Sequence, residues 1–228
     1  MAKGKKYLDA SRAFDREHLH TVEEASMMIG THSKRKFDET VDIVVRLGVD
    51  PRKAEEMIRG TVALPAGTGK NVRVAVFAQG DAAEAARAAG AEFVGGDELA
   101  AEIEGGMFDF DVTIAAPDMM PLVGKLGRVL GPRSLMPNPK TGTVTPDVAK
   151  AVEEFKGGKV EFRTDKFANV HVPVGKISFS AEDIARNIKA VIEELARAKP
   201  AGAKGQYMRK ASISSTMGPS IKLDPSRF

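Results

Sequence analysis

Three stretches hold residue types that could do chemistry. "ALPAGTGKN" ends in Gly69-Lys70, the close of a phosphate-binding loop, but that loop needs a glycine five residues before Gly69 and a Ser or Thr after the lysine. Those positions hold Leu64 and Asn71, and a strand follows where a helix should. A hinge is the better reading. Asp109 and Asp111 in "MFDFDVT" stand two apart on an extended segment and would share a face, as a metal-binding or acid–base pair does. No histidine or third carboxylate stands at a recognisable spacing, so both read better as turn and strand-entry residues. His18-x-His20 is the one histidine spacing of note; His32 and His171 are scattered, and no zinc set emerges.

Nucleophile patterns are absent as well: there is no G-x-S-x-G, no S-x-x-K set complete with its S-D-N partner, and no cysteine. "FAQGDAAEAA" offers Gly80 alone where dinucleotide binding wants three glycines. These observations argue against an enzyme and imply neither cofactor nor metal. The lack of cysteine also excludes a disulfide framework. No run approaches the roughly eighteen apolar residues of a membrane span, and the N-terminal stretch has no apolar region of the kind a signal peptide carries. The expected location is the cytoplasm.

Basic segments point elsewhere. In "THSKRKFDET" the run Lys34, Arg35, Lys36 precedes Phe37 at a strand edge. In "GGKVEFRTDKFANVHVPVGK" a hairpin carries Lys159, Arg163 and Lys166 with Phe162 and Phe167 between them. Cations neutralise phosphates while aromatic rings engage unstacked bases, so the interleaving suits RNA. It equally fits core phenylalanines beside solvated lysines. A third stretch, Gly124 to Pro146, carries Lys125, Arg128, Arg133 and Lys140 and no acid at all. Its prolines and glycines suggest an extended loop, either a second, less sequence-specific RNA contact or a structural loop.

The elements that must position these residues come in two styles. From Val72 to Ala116, unalternating apolar strands ("VRVAVFA", "AEFVG", "VTIAA") are separated by helices of the type "DAAEAARAAG" and "DELAAEIEGG". That rhythm marks a parallel sheet covered on both faces, a small Rossmann-like α/β unit. The flanks alternate instead: "FDETVDIVVRLGVD" places Val41, Ile43, Val45 and Leu47 on one face, and "YMRKASISSTMG" alternates too. Two helices accompany them, one opened by the capping box Thr21-x-x-Glu24, the other by Ser180 with Asp183 three residues on. The expected fold combines α/β and α+β: an antiparallel-sheet α+β domain built from both chain ends (1–67 and 159–228), with a Rossmann-like α/β domain (68–158) inserted.

Charge follows the same division. The 228 residues carry a net charge of +3. Residues 68–158 hold 9 Lys+Arg against 13 Asp+Glu, a net of −4, which leaves +7 for the remainder. Such asymmetry favours a polyanionic partner for the flanking domain.

At "FDETV", "LGVDPRKAEEMIRGTVALPAGTGK", "FDFDV", "KLGRVLGPRSLMPNPKTGTV", "VEFRTDK" and "STMGPSIKLDP" the chain resembles the L-one family of bacterial large-subunit ribosomal proteins, from residue 21 to residue 225. The resemblance implies binding to the mobile stalk of large-subunit ribosomal RNA beside the tRNA exit site. It further implies contact with departing tRNA, assistance in release of deacylated tRNA, repression of the chain's own operon mRNA, and a monomer when free. Carried onto this sequence, the RNA-binding residues would be Lys36, Phe37, Thr40, Glu161, Arg163, Asp165, Lys166, Thr216, Met217 and Gly218, with Lys125, Arg128, Arg133 and Lys140 as a secondary contact. In that surface Thr216 would offer a hydroxyl, Met217 an adaptable apolar contact and Gly218 room for RNA backbone. Glu161 and Asp165 would accept from base amines or 2′-hydroxyls, or orient Arg163. One departure stands out: Ser134 replaces the glycine usual after Gly-Pro-Arg, a strained choice if φ there is positive.

Overall fold

The computed structural model describes residues 4–32, 36–53 and 55–228. In chain order the first elements are α1 (Lys5–Arg12), α2 (Val22–His32), β1 (Thr40–Leu47), β2 (Arg59–Ala63), β3 (Val74–Phe77), α3 (Asp81–Ala88), β4 (Phe93–Gly95), α4 (Asp97–Glu104) and β5 (Val112–Ala115). They are followed by α5 (Met120–Lys125), α6 (Gly127–Leu130), α7 (Val148–Lys156), β6 (Lys159–Arg163), β7 (Asn169–Lys176), α8 (Ala181–Arg197), β8 (Met208–Ser215) and β9 (Ile221–Leu223). The residues separate into two compact units, Met1–Gly69 with Val160–Phe228, and Lys70–Lys159.

The first unit is organised by β1. Its alternation puts Val41, Ile43, Val45 and Leu47 in the core, and α2 and α8 close that core from one side of the sheet. The antiparallel order is β7-β1-β8-β9, so the central strand pairs with two strands from the other end of the chain. Both helix starts follow their sequence signals. Thr21 Oγ1 accepts from the Glu24 amide at 3.2 Å while Glu24 Oε2 accepts from the Thr21 amide at 3.0 Å, satisfying two end donors reciprocally. Ser180 Oγ accepts from the Asp183 amide at 3.1 Å. β2 and β6 form a separate two-stranded sheet.

The chain leaves this unit through "LPAGTGK", which is not free chain. Asn187, fully buried on α8, accepts from the Ala66 amide at 3.0 Å and donates to the carbonyls of Gly67 at 2.9 Å and Val174 at 2.7 Å. Gly69 has φ +68, and a Cβ there would lie 2.8 Å from the Phe179 ring. Only glycine fits both the dihedral and the space.

The second unit holds a parallel sheet of order β4-β3-β5, with β3 buried along its whole length. α3 and α7 pack together on the sheet, and α4 packs with α5. The fold is thus mixed α/β with one antiparallel and one parallel sheet. The Gly124–Pro146 stretch is where sequence and structure part: its first third is helical rather than extended. Val123, Leu126 and Leu130 are buried in the unit's core, and that packing outweighs the weak helix propensity of Gly124 and Gly127. Further on, Asn138 binds the segment to itself, its amide donating to Thr143 Oγ1 at 2.8 Å and its Oδ1 accepting from the Lys140 amide at 2.8 Å.

The turn that follows α6 closes on Ser134, whose φ is +58, with the Leu135 amide donating to the Leu130 carbonyl at 3.0 Å. This is a left-handed helix cap, a position that glycine fills without the Cβ clash. Ser134→Gly is therefore expected to stabilise the protein by about 1 kcal/mol, read as a rise of a few degrees in the thermal midpoint. An unchanged or lowered midpoint would show that the serine carries no strain.

Candidate nucleic-acid interface

The expected RNA-binding residues lie at two ends of the first unit's sheet. At one end the start of β1 and the end of β8 are strapped together. The Thr216 amide donates to the Thr40 carbonyl at 3.0 Å, and the Thr40 amide donates to Thr216 Oγ1 at 3.1 Å. The Thr216 hydroxyl itself donates to the Thr40 carbonyl at 3.2 Å, so its proton is engaged in the strap. Lys176 of β7 adds a third strand, its Nζ donating to Thr40 Oγ1 at 2.9 Å.

Beneath them sits Glu39, a carboxylate only 1% exposed. One of its oxygens accepts from the Ser215 hydroxyl at 2.8 Å and from the Met217 amide at 2.9 Å. The turn over it leaves Met217 50% exposed, and Phe37 across the corner is 55% exposed. Gly218 is required for an internal reason: a Cβ there would lie 2.4 Å from Ser215 Oγ. The glycine makes room for the hydroxyl that reaches Glu39. Asp38 fixes the approach to β1 by accepting from the Ser178 amide and hydroxyl at 3.1 and 2.8 Å. Lys36 is exposed beside Phe37; Lys34 and Arg35 lie outside the described residues.

The other end is the turn between β6 and β7, which is not the expected two-stranded hairpin: the strands lie in different sheets and their continuations meet at a single bridge, Thr164 to Val170. Asp165 organises its turn: Oδ1 accepts from the amides of Phe167 and Asn169, both at 2.8 Å, and Oδ2 from Asn169 Nδ2 at 3.0 Å. Partial burial works to raise its pKa, but the hydrogen bonds from Asn169 and Phe167 prevail and hold the carboxyl below its usual range. Glu161 pairs with Arg59 Nε at 2.6 Å. Neither acid orients Arg163, contrary to expectation, because each is satisfied by a nearer partner. The Arg163 guanidinium rests instead on Met57 Sδ at 3.7 Å. Lys166 lies over the Phe167 ring at 5.2 Å. Phe162 is a core residue, as one of the two open readings has it, and Phe167 is exposed.

The eight residues of β1 separate the two ends by about 23 Å at roughly 3.3 Å per residue. Between them runs the sheet face turned away from α2 and α8. Its rows are Pro173, Asp42 and Ser214; then His171, Val44, Ser212 and Lys222; then Asn169, Arg46 and Lys210. Burial raises the Asp42 pKa, with His171 and Lys176 pulling it back. Arg46, Lys176, Lys210 and Glu39 were missed by reasoning from sequence. Alternation in "VDIVVRL" does put Asp42, Val44 and Arg46 on the wet face, but only strand pairing reveals what stands beside them.

In the second unit Lys125, Arg128, Arg133 and Lys140 are all exposed. Lys125 and Arg128 stand three apart on a helical segment and so face the same way. Arg133 is held over the Phe108 ring, 3.7 Å from its centroid. Acids elsewhere in the unit take other cations: Asp111 pairs with Lys70 at 2.6 Å and Arg73 at 3.3 Å, Glu92 with Lys156 at 2.8 Å, and Glu154 with Lys159 at 2.7 Å. Among the described residues no carboxylate pairs with Lys125, Arg128 or Lys140. Lys70, the lysine of the weak phosphate-loop pattern, is thus engaged by one of the two aspartates first read as a possible metal pair. His18 and His20 meet edge to face at 4.7 Å, with His20 Nδ1 3.9 Å from Glu24 Oε2.

Similarity to known proteins first gives the class, a structural protein of the ribosome rather than an enzyme. Residues 29–219 match the family described as Ribosomal protein L1p/L10e. The chain is 59% identical over 227 residues to the large ribosomal subunit protein uL1 of Nocardioides sp., covering all of this chain and 95% of that protein. It is 57% identical over 225 residues to the protein of the same name from Cutibacterium acnes, covering 99% and 97%. The chain belongs to the Ribosomal protein L1p/L10e family and is a component of the large ribosomal subunit.

Because Glu39 accepts from two inward donors, Glu39→Ala is expected to cost on the order of 3 kcal/mol of folding stability, from the stranded Ser215 hydroxyl and Met217 amide. Urea unfolding measures it. A loss within about 0.5 kcal/mol, the range of ordinary surface changes, would remove Glu39 from this role.

Proposed function

We propose that the chain binds the mobile stalk region of large-subunit ribosomal RNA near the tRNA exit site. In this reading residues 1–67 and 159–228 form the specific RNA-binding domain, and the inserted domain, 68–158, adds a second contact through Lys125, Arg128, Arg133 and Lys140. Family membership supports the partner. The observation that carries the assignment of surfaces is the strapped turn over Glu39, which fixes Thr216, Met217 and Gly218 before any ligand arrives. Preformed, largely uncharged contacts read RNA shape, whereas exposed cations without acid partners neutralise phosphate regardless of sequence. Lys36, Phe37 and Thr40 extend the first surface; Arg163 and Lys166 supply its charge. Glu161 and Asp165 belong to it as supports for Arg59 and for the β6–β7 turn.

The same reading assigns the protein a part in releasing deacylated tRNA and in repressing its own operon mRNA through a similar RNA fold. It acts as a cytoplasmic monomer when free of the ribosome, with no cofactor, metal or membrane partner. No helix among the described residues is long and apolar enough to cross a membrane.

Met217→Asp is expected to weaken binding to the stalk RNA by roughly 2 kcal/mol, one lost contact plus repulsion from phosphate, with much less effect on scrambled RNA. Arg128→Ala should weaken both RNAs alike and reduce the salt slope by about one unit or less. Titrations of wild type and both variants at several salt concentrations decide the matter. If Met217→Asp lowers affinity for both RNAs equally, or Arg128→Ala affects only the stalk RNA, the two surfaces are reversed.

A further inference from the structure

Phe167 is 65% exposed, and among the described residues no other large apolar side chain is as exposed. Its position is fixed all the same. Asp165 accepts the Phe167 and Asn169 amides, the Ala168 amide donates to the Asp165 carbonyl at 3.1 Å, and Ala168 takes a left-handed φ of +61 to complete the turn. The Leu47 amide donates to the Ala168 carbonyl at 2.8 Å, tying the tip to the central strand. A turn this constrained holds an aromatic ring out in water, where burial gives it nothing.

The ring's neighbours say what it would meet there. Lys166 Nζ lies 5.2 Å from the ring centroid, Arg163 is exposed two residues before the turn, and the His171 side chain, 59% exposed, stands 3.5 Å from Asp165 Oδ2. A phenyl ring offers no hydrogen bond, so it cannot hold phosphate or read a base edge. Its free face can stack on a base, and every base has such a face provided it is not already stacked within a duplex. Cations around the ring would take the phosphates on either side.

We propose that Phe167 is a stacking platform for one unpaired base of the bound RNA, with Lys166 against one side of the ring and the base on the other. The proposal rests on the RNA-binding reading above and adds a requirement to it: the RNA must present an unstacked base at the tip of this turn. Because the main chain of the turn is set before binding, little ordering entropy is lost when the base docks.

The chain contains no tryptophan, so Phe167→Trp makes a unique fluorescent reporter at the tip. The full-length protein is titrated with a transcript of the stalk segment of large-subunit ribosomal RNA and with a fully paired RNA duplex of equal length. Indole emission should be quenched by the transcript and left unchanged by the duplex. Phe167→Ala should weaken transcript binding by about tenfold, the effect of one lost base–aromatic stack, with the thermal midpoint unchanged. Phe167→Leu should behave like the alanine variant. An alanine variant that binds as tightly as wild type, a leucine variant with full affinity, or an indole unquenched at saturation would each overturn the platform while leaving RNA binding in place. Failure of the wild type to bind the transcript would instead overturn the RNA-binding reading itself.

Discussion

Glu39 accepts hydrogen bonds from Ser215 and Met217, residues 176 and 178 positions further along the chain. A carboxylate removed from water is tolerable only when its oxygens find donors. The start of β1 and the end of β8 are therefore held together, and neighbouring features follow from that junction. Thr40 and Thr216 exchange main-chain and hydroxyl bonds above it, Lys176 closes the third side, and Met217 is left pointing out. Register is fixed as well, since a slip of one residue would turn Val41, Ile43 and Val45 to water.

The same arrangement explains how a second unit can be carried inside the first. β1 lies before the insertion, and its partners β7 and β8 after it. The sheet is built across the whole sequence, a non-local topology that must bear its loop-closure cost before pairing returns anything. Asn187 contributes at the exit: a polar side chain deep in the core is normally a liability, yet its amide engages Ala66, Gly67 and Val174 and so sets where the chain departs. In "AEDIARNIKAVIEELARAK" that asparagine looks like one more polar residue on an amphipathic helix. Its importance depends on segments far from it in sequence.

The features legible in the sequence are those set by local periodicity or capping. Alternation located β1 and β8, unbroken apolar runs located the parallel sheet, and the capping pairs Thr21–Glu24 and Ser180–Asp183 located two helix starts. Illegible features depend on which partner reaches a side chain first. Asp165 reads as a free acceptor near Arg163 until its turn is seen to consume it, and Glu161 until Arg59 is found beside it. Gly124 and Gly127 read as loop residues because their weak helix propensity is local, whereas the burial of Leu126 and Leu130 is not.

Net charge is for the same reason a poor guide to where a polyanion can settle. The inserted segment is acidic in sum, but several of its acids are committed: Asp111 to Lys70 and Arg73, Glu92 to Lys156, Glu154 to Lys159. Each pair cancels its own field within a few ångströms. Lys125 and Arg128, which no carboxylate meets among the described residues, keep theirs. Over a Debye length of about 8 Å at physiological salt, an approaching phosphate responds to that unpaired corner more than to the distant remainder. In the first unit the acids of the expected interface are also turned to internal work, Glu39 beneath its turn, Glu161 on Arg59 and Asp165 within the β6–β7 turn. Carboxylates beside an RNA-facing surface are thus compatible with binding when they shape it from behind, and pairing decides that more directly than their number does.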